Sequence, residues 1–262
     1  MKPLAPLALF TRERRARLAG YARDSAFRAL SRDWLRASVQ RQYVYNFDWL
    51  GRPIIQYPQD MVAMQELVWR VRPDLIVETG IAHGGSLVLS ASLLALLDLS
   101  DAAEAGTPLD PRAPRRTVLG VDIDIRAHNR AAIEAHPMAH RIAMIEGSST
   151  APEVLAQVRA RARGVQRVMV CLDSLHTHAH VLAELNAYAP LVTPGSYCVV
   201  FDTFVEDLPP GSFPDRPWDV GNNPKTAVRQ WLAGHAEFAV DSDIEQRLQL
   251  TAAPHGFLRR RE

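Results

Sequence analysis

Two short stretches carry side chains able to move a proton or hold a cation. Leu172-Asp173-Ser174-Leu175-His176 closes one continuously apolar run, and Phe201-Asp202-Thr203 closes another. Adjacent parallel strands end about 5 Å apart, so Asp173 and Asp202 can converge. A pair of carboxylates suits a hard divalent cation such as Mg²⁺, which prefers oxygen ligands and keeps several waters. Such an ion can orient neighbouring hydroxyls and lower the pKa of one of them. His176 follows closely and has the side chain best matched to proton transfer at neutral pH. The structural alternative is that each Asp caps the following segment. In the run His176-Thr177-His178-Ala179-His180, a helix would put only His176 and His180 on one face. His178 and His180 therefore read as solvated or structural, and His83 as a loop residue near the site.

A second group of unusual residues ends three other apolar runs. Glu78-Thr79-Gly80-Ile81-Ala82-His83-Gly84-Gly85-Ser86 follows the first of them. Gly80 permits a tight turn, and Gly84 and Gly85 let a ligand approach the backbone at a helix N-terminus. The spacing is G-x-x-x-G-G, not the dinucleotide G-x-G-x-x-G. With an acidic residue two places before the first glycine, it resembles motif I of class I methyltransferases. That turn wraps the methionine part of S-adenosylmethionine, which is cationic at sulfur and which a carboxylate such as Glu78 would suit. The next strand ends at Asp122, where a carboxylate can accept hydrogen bonds from vicinal ribose hydroxyls or cap a helix. The third is followed by Glu146-Gly147-Ser148-Ser149, a polar turn suited to the adenine, with helix capping as the plain alternative.

These residues need a scaffold that brings strand ends together. Strands are predicted at 74–79, 117–122, 140–145, 167–173 and 196–202, with two more at 237–240 and 255–259. Helices are predicted between them, including one over 87–99. Short, continuously apolar strands separated by helices describe a parallel sheet covered on both faces. The expected fold class is α/β: a Rossmann-like, mostly parallel, seven-stranded methyltransferase sheet with a helical N-terminal extension. Residues 11–41 read as one helix with Phe27, Leu30, Trp34 and Leu35 on one face and nine arginines around it. Residues 46–60 read as a loop broken by Gly51, Pro53 and Pro58, and 101–116 as a surface loop. The domain reading is 1–45 for the extension, a cap or oligomer arm, and 46–262 for the catalytic domain.

Composition narrows the class. The 262 residues are 47% hydrophobic and 23% charged, with a formal net charge of +1. That balance is ordinary for a globular protein and gives no global reason to expect nucleic acid or a membrane surface as partner. No apolar run reads as long enough to span a bilayer. The opening MKPLAPLALF is only weakly like a signal peptide, with a short apolar stretch and no small-residue cleavage site. Both cysteines, Cys171 and Cys198, sit in strand-like runs, so a reduced, cytoplasmic protein is expected.

Taken together, WLGRPIIQYPQD (49–60), PDLIVETGIAHGGS, GVDIDIR, EGSS, LDSLH, PGSYCVVFDT, GNNPKTAV and GFLRR resemble the cephalosporin hydroxylase and rhamnosyl O-methyltransferase family. The resemblance covers nearly all of the chain after residue 40. It implies a class I methyltransferase fold, S-adenosylmethionine as donor, Mg²⁺ in several members, and homo-oligomers in which N-terminal segments help close the site. Carried over by position, Glu78, Gly80, Gly84, Ser86 and Asp122 would hold the cofactor; the strand-end reading adds Ser148 and Ser149 at the adenine, and Asp173 is counted among the cofactor-binding residues as well. Asp173 and Asp202 would bind metal, His176 would be the base, and Gln56 and Asp60 would border donor or acceptor. One position departs from the pattern. Metal-binding members can carry an acidic residue just before the fifth-strand aspartate, and here Phe201 stands there, so water, Glu206 or Asp207 would have to serve. The loop 209–223, with Phe213, Asp215 and Trp218, is the expected lining for a small-molecule or glycan acceptor. The reading is an O-methyltransferase acting on a sugar or glycosylated natural product. The alternatives are an iron-dependent hydroxylase using His176, His180 and Asp173, and a non-catalytic binding subunit of the same fold.

Overall fold

Strands buried on both faces need apolar residues at every position, and the central runs LIVET, TVLGVD, VMVCL and YCVV supply them. The computed structural model describes residues 6–262; the first five residues of the signal-like opening lie outside the described residues. The strands are β1 (Phe47–Trp49), β2 (Arg52–Ile54), β3 (Leu75–Thr79), β4 (Thr117–Asp122), β5 (Ile142–Glu146), β6 (Val168–Leu172), β7 (Tyr197–Val200), β8 (Phe238–Val240) and β9 (Phe257–Arg260). The helices are α1 (Pro6–Arg23), α2 (Ser25–Gln40), α3 (Pro58–Val71), α4 (Gly85–Ala105), α5 (Ala127–Glu134), α6 (Pro152–Ala162), α7 (His178–Tyr188), α8 (Pro224–Leu232) and α9 (Ser242–Leu248).

Seven strands form one sheet in the order β5-β4-β3-β6-β7-β9-β8. Its first five members are parallel, and β9 runs antiparallel to both β7 and β8. This is the class I methyltransferase-like fold expected from the sequence. The chain moves outward from β3 through β4 to β5, then returns to β6 on the other side of β3, so the ligand crevice lies above β3 and β6. Register makes this edge level. Thr79 pairs with Val121 on one side and Leu172 on the other, and Leu172 pairs with Val200.

Several local expectations are revised. The helix expected over 11–41 is two helices. Asp24 leaves helical geometry and its side chain accepts from the Phe27 amide, capping α2, because a short acidic side chain serves an orphan N–H better than it serves a helix interior. The loop over 46–60 contains the β1–β2 hairpin, with Leu50 and Gly51 both at positive φ in its turn. The supposed surface loop begins as helix. α4 runs to Ala105 and stops at Gly106 in the left-handed region. Helix α9 was not expected.

By length and composition α4 is also apolar enough to cross a membrane, contrary to the sequence expectation. In this fold it packs against α3 and β4, with Leu87, Val88, Ala91 and Leu94 inside the core. The same helix carries Asp98, buried between Arg116 and Arg141 at 2.6 and 2.5 Å. Arg116 reaches on to Asp101 at 2.7 Å. This buried charge network ties α4 to the strand entries of β4 and β5.

Candidate active site

The level carboxyl edge of the sheet opens into a cavity of about 1710 Å³. Ligand sites generally fall in the range of roughly 300–1,000 Å³, so this one has room for two small molecules side by side. Its floor is the turn after β3, Asp122, Ser148 and Ser149, the segment Asp173–His176, and Asp202. Its far wall comes from the end of α2 and from the loop after β7, including Phe213, Asp215 and Trp218.

The turn after β3 is built by close packing. A Cβ on Gly80, at φ +89°, would overlap the Asp173 carbonyl, and one on Gly85 would strike Pro53 and Ile54. A Cβ on Gly84 would run into the Ile133 side chain. The glycines at 84 and 85 therefore admit neighbouring protein, where the sequence reading had reserved that space for a ligand. The β1–β2 hairpin also braces the turn. Arg52 Nε donates to the His83 carbonyl at 3.0 Å, and Asn129 Nδ2 donates to the Ala82 carbonyl at 2.9 Å. Neither Arg52 nor Asn129 was singled out in the sequence, since nothing short of the three-dimensional contact marks them.

Glu78 lies beneath this turn, buried, and accepts from the Ser86 hydroxyl, while Ser86 itself faces the cavity. Burial pushes the Glu78 carboxyl up to about 7, partly offset by that hydrogen bond. Asp122 caps no helix. Its Oδ2 accepts from the Ile81 and Ala82 amides at 2.7 and 3.3 Å, and its Oδ1 from Asp124 at 3.2 Å. An ionised carboxylate has about four acceptor sites, so capacity remains, chiefly at Oδ1.

Asp173, His176 and Asp202 come together, with potential ligand atoms all within 4.8 Å of one another. His176 Nε2 stands 3.0 Å from Asp202 Oδ2, and its ring meets Trp218 edge-on at 4.7 Å. Asp202 is a non-glycine residue at φ +54°, a conformation that asparagine and aspartate tolerate better than most. The Asp173 carboxyl is pushed well above the usual carboxylate range, first by burial and then by the nearby charges of Asp202 and Glu78. Phe201 packs into the core and offers no ligand. Glu206 and Asp207 do not replace it. Glu206 holds the Gly221 amide and Asn223 at 2.8 and 2.5 Å, and Asp207 pairs with Lys225 at 2.5 Å.

Two further candidates stand outside this cluster, His180 in the structural role the sequence favoured and Asp60 against the expectation that it borders donor or acceptor. His180 does not join His176 and Asp173. It lies among Ser149, Ser174 and Glu184, which removes the facial triad that an iron hydroxylase would need. Asp60 is fully buried away from the cavity lining, accepting from the Thr251 hydroxyl at 2.5 Å and the Ala252 amide at 2.8 Å. Burial pushes its carboxyl up to about 7. Gln56 does line the cavity, and its Oε1 has no partner among the described residues.

A family profile described as Rhamnosyl O-methyltransferase/CmcI matches residues 41–261. The chain belongs to that family. It is thus an S-adenosylmethionine-dependent O-methyltransferase. Among individual relatives, the rhamnosyl O-methyltransferase of Mycobacterium leprae (strain TN) is 29% identical over 236 residues, covering 87% of this chain and 92% of that protein. The rhamnosyl O-methyltransferase of Mycobacterium bovis (strain BCG / Pasteur 1173P2) is 29% identical over 206 residues, covering 76% and 72%. Among solved structures, the apo structure of CmcI-N160 superposes with a TM-score of 0.53 at 17% identity, covering 83% of this chain and 77% of that one. The Mg–SAM structure of cmcI-D160 gives 0.51 at 17% identity, covering 83% and 78%. At such identities these two speak for the family fold.

Proposed function

We propose that this family member methylates a hydroxyl of a sugar borne by a natural product, with His176 as general base. The observation that carries the reading is the convergence of Asp173, His176 and Asp202 beside the wall that bears Trp218, in the same cavity as the β3 turn and Asp122. Ser86, Gly80 and the β3 turn would hold the methionine part of S-adenosylmethionine, with Glu78 acting from behind through Ser86. Gly84 would contribute by letting the turn pack tightly. Asp122 would hold the ribose, and Ser148 and Ser149 would meet the base. Trp218 and Gln56 would border the acceptor, the Trp218 ring matching the C–H face of a sugar and the unpartnered Gln56 oxygen matching a hydroxyl. The name shared by the mycobacterial relatives favours rhamnosyl acceptors.

With Nε2–H directed at Asp202, His176 keeps Nδ1 free to take the proton from the acceptor hydroxyl as its oxygen attacks the methyl group. Asp202 would orient the ring and stabilise the imidazolium that forms. Most of the remaining acceleration would come from holding oxygen and methyl in near-attack geometry. The donor set also fits Mg²⁺ in part. Asp173 and Asp202 supply two carboxylate oxygens, and the raised Asp173 carboxyl is the response expected of a buried acid with a second acid close by. When bound, Mg²⁺ would orient and acidify a vicinal diol. With Phe201 in the third position, water would complete its shell, so we place the ion as loosely held.

The test is methyl transfer from isotopically labelled S-adenosylmethionine to a rhamnosyl glycoside, with and without chelator. His176→Ala should lower turnover by a factor on the order of 10²–10⁴ while leaving cofactor affinity in place. Unchanged turnover would remove His176 from the reaction, and no transfer to any glycoside would remove the sugar assignment.

A further inference from the structure

Beside the cofactor end of the cavity lies a buried polar chain that the proposed chemistry leaves unused. Its residues stand on one face of α7 at four-residue spacing: His180, Glu184 and Tyr188. Glu184 is fully buried, and its Oε2 has no partner among the described residues. Its Oε1 accepts from the Ser174 hydroxyl at 2.7 Å and lies 3.4 Å from His180 Nε2. His180 Nε2 in turn lies 3.1 Å from Ser174 Oγ and 3.1 Å from Ser149 Oγ. Tyr188 donates its hydroxyl to the Ser149 carbonyl at 2.7 Å. Helix α7 thus grips two loops at once, the one after β5 that carries Ser149 and the one after β6 that carries Asp173 and His176.

The directions of these hydrogen bonds can be worked out from the fixed end. A carboxylate only accepts, so the Ser174 hydrogen points at Glu184. The Ser174 oxygen then faces His180 with lone pairs, and Glu184 does the same, so we take the tautomer with Nε2–H, whose single hydrogen is shared among Ser174, Glu184 and Ser149. A hydroxyl hydrogen cannot point at an N–H. Ser149 Oγ is therefore an acceptor toward His180, and its own hydrogen is left free. Ser149 Oγ has no other side-chain or backbone partner among the described residues, and Ser149 lines the cavity.

We propose that the Glu184–Ser174–His180 chain positions Ser149 as a hydrogen-bond donor into the cavity, where it selects a purine by one unprotonated ring nitrogen. Glu184, Ser174 and His180 are positioning residues that act through Ser149. The proposal rests on the cofactor reading above, with the base at the Ser148–Ser149 turn. It adds a reason for choosing adenine, whose ring nitrogens accept, over a base presenting N–H at the same place.

The test uses the full-length protein and calorimetric binding of S-adenosylhomocysteine, together with its 1-deaza, 3-deaza and 7-deaza analogues, each replacing one accepting nitrogen by C–H. Wild type should bind one analogue roughly 5- to 10-fold more weakly than the parent, the size of one neutral hydrogen bond. Ser149→Ala should bind the parent and that analogue equally. His180→Leu, which offers no N–H, should lose the same preference, while His180→Gln, which offers one, should retain most of it. Circular dichroism and melting of each variant identify any that fail to fold, and the comparison between parent and analogue within one folded variant cancels a general loss of affinity. Preference undiminished in folded His180→Leu overturns the positioning role, and preference absent in wild type that binds the parent overturns the Ser149 donor role as well; both leave the cofactor placement standing. Wild type that binds no S-adenosylhomocysteine overturns the cofactor placement and this proposal with it.

Discussion

At the scale of single residues, the carboxylates in and behind the site are held by different partners. Asp122 is tied to three backbone amides and stays on the cavity floor. We expect Asp122→Ala to weaken S-adenosylhomocysteine binding about 10- to 100-fold, the effect of hydrogen bonds to a charged group, as read by calorimetry. Unaltered affinity would refute the ribose assignment. Asp60, away from the cavity, is a buried acid raised from 3.8 to about 7. The folded state holds its proton more tightly than the unfolded chain does. Between those two pH values the unfolded chain ionises first, so stability falls as pH rises, and above about 7 the whole deficit stands. Asp60→Asn keeps an acceptor for the Ala252 amide and turns its NH2 toward the Thr251 oxygen, without the charge. Urea unfolding across pH 4–8 should show a shallower decline for this variant than for wild type; an equal slope would mean the decline comes from other groups.

At the scale of elements, much of the site is positioned by contacts between pieces far apart in sequence. The β1–β2 hairpin closes on Gly85 and binds the β3 turn through Arg52, which is how a segment read as loop comes to shape the cofactor end. Helix α4 starts at that turn and is fixed at its other half by Asp98. One carboxylate there pairs with two buried arginines, the first of which also reaches Asp101, and removing one partner of such a network strands the other charges in the interior. We expect Asp98→Ala to cost about 3–5 kcal/mol of stability, measured by chemical denaturation. A loss under about 1 kcal/mol, in the range of exposed pairs, would show that water reaches these arginines. The sequence reading passed over Asp98, near the end of a predicted helix, and Arg116, in a proline-rich stretch, because a charged residue at such places looks solvated until the fold encloses it.

At the scale of the molecule, the catalytic edge depends on the sheet and not on the outermost helix. α1 has no buried residue and meets mainly α9 and α2, and the family match begins only at residue 41. Removing residues 1–23 should therefore shift Tm by no more than about 2 °C, within the range of surface changes. A larger drop would assign α1 a packing role. The end of α2 is different. Leu35 and Ser38 are buried, Ser38 bonds Tyr57 at 2.7 Å, and Arg36 and Arg41 stand in the cavity wall. The domain boundary read near residue 45 thus cuts through a wall of the cavity.

What the sequence determined by itself was the layered α/β fold and the strand-end positions of its polar residues. Both follow from local rules: continuous apolar runs make buried parallel strands, and a residue that ends such a run must emerge at the sheet edge. That was enough to name Asp122, Asp173, His176 and Asp202. Only the tertiary structure decided which of those residues meet. It joined His176 to Asp202, sent His180 to Glu184, sank Asp60 and Glu78 out of the cavity and used Glu206 and Asp207 elsewhere. The physical reason is that spacing along the chain fixes direction within one element, whereas contact between elements depends on register and close packing. Those are set by what Gly80 and Gly85 pack against, and by bonds spanning dozens of residues, neither of which a local pattern records.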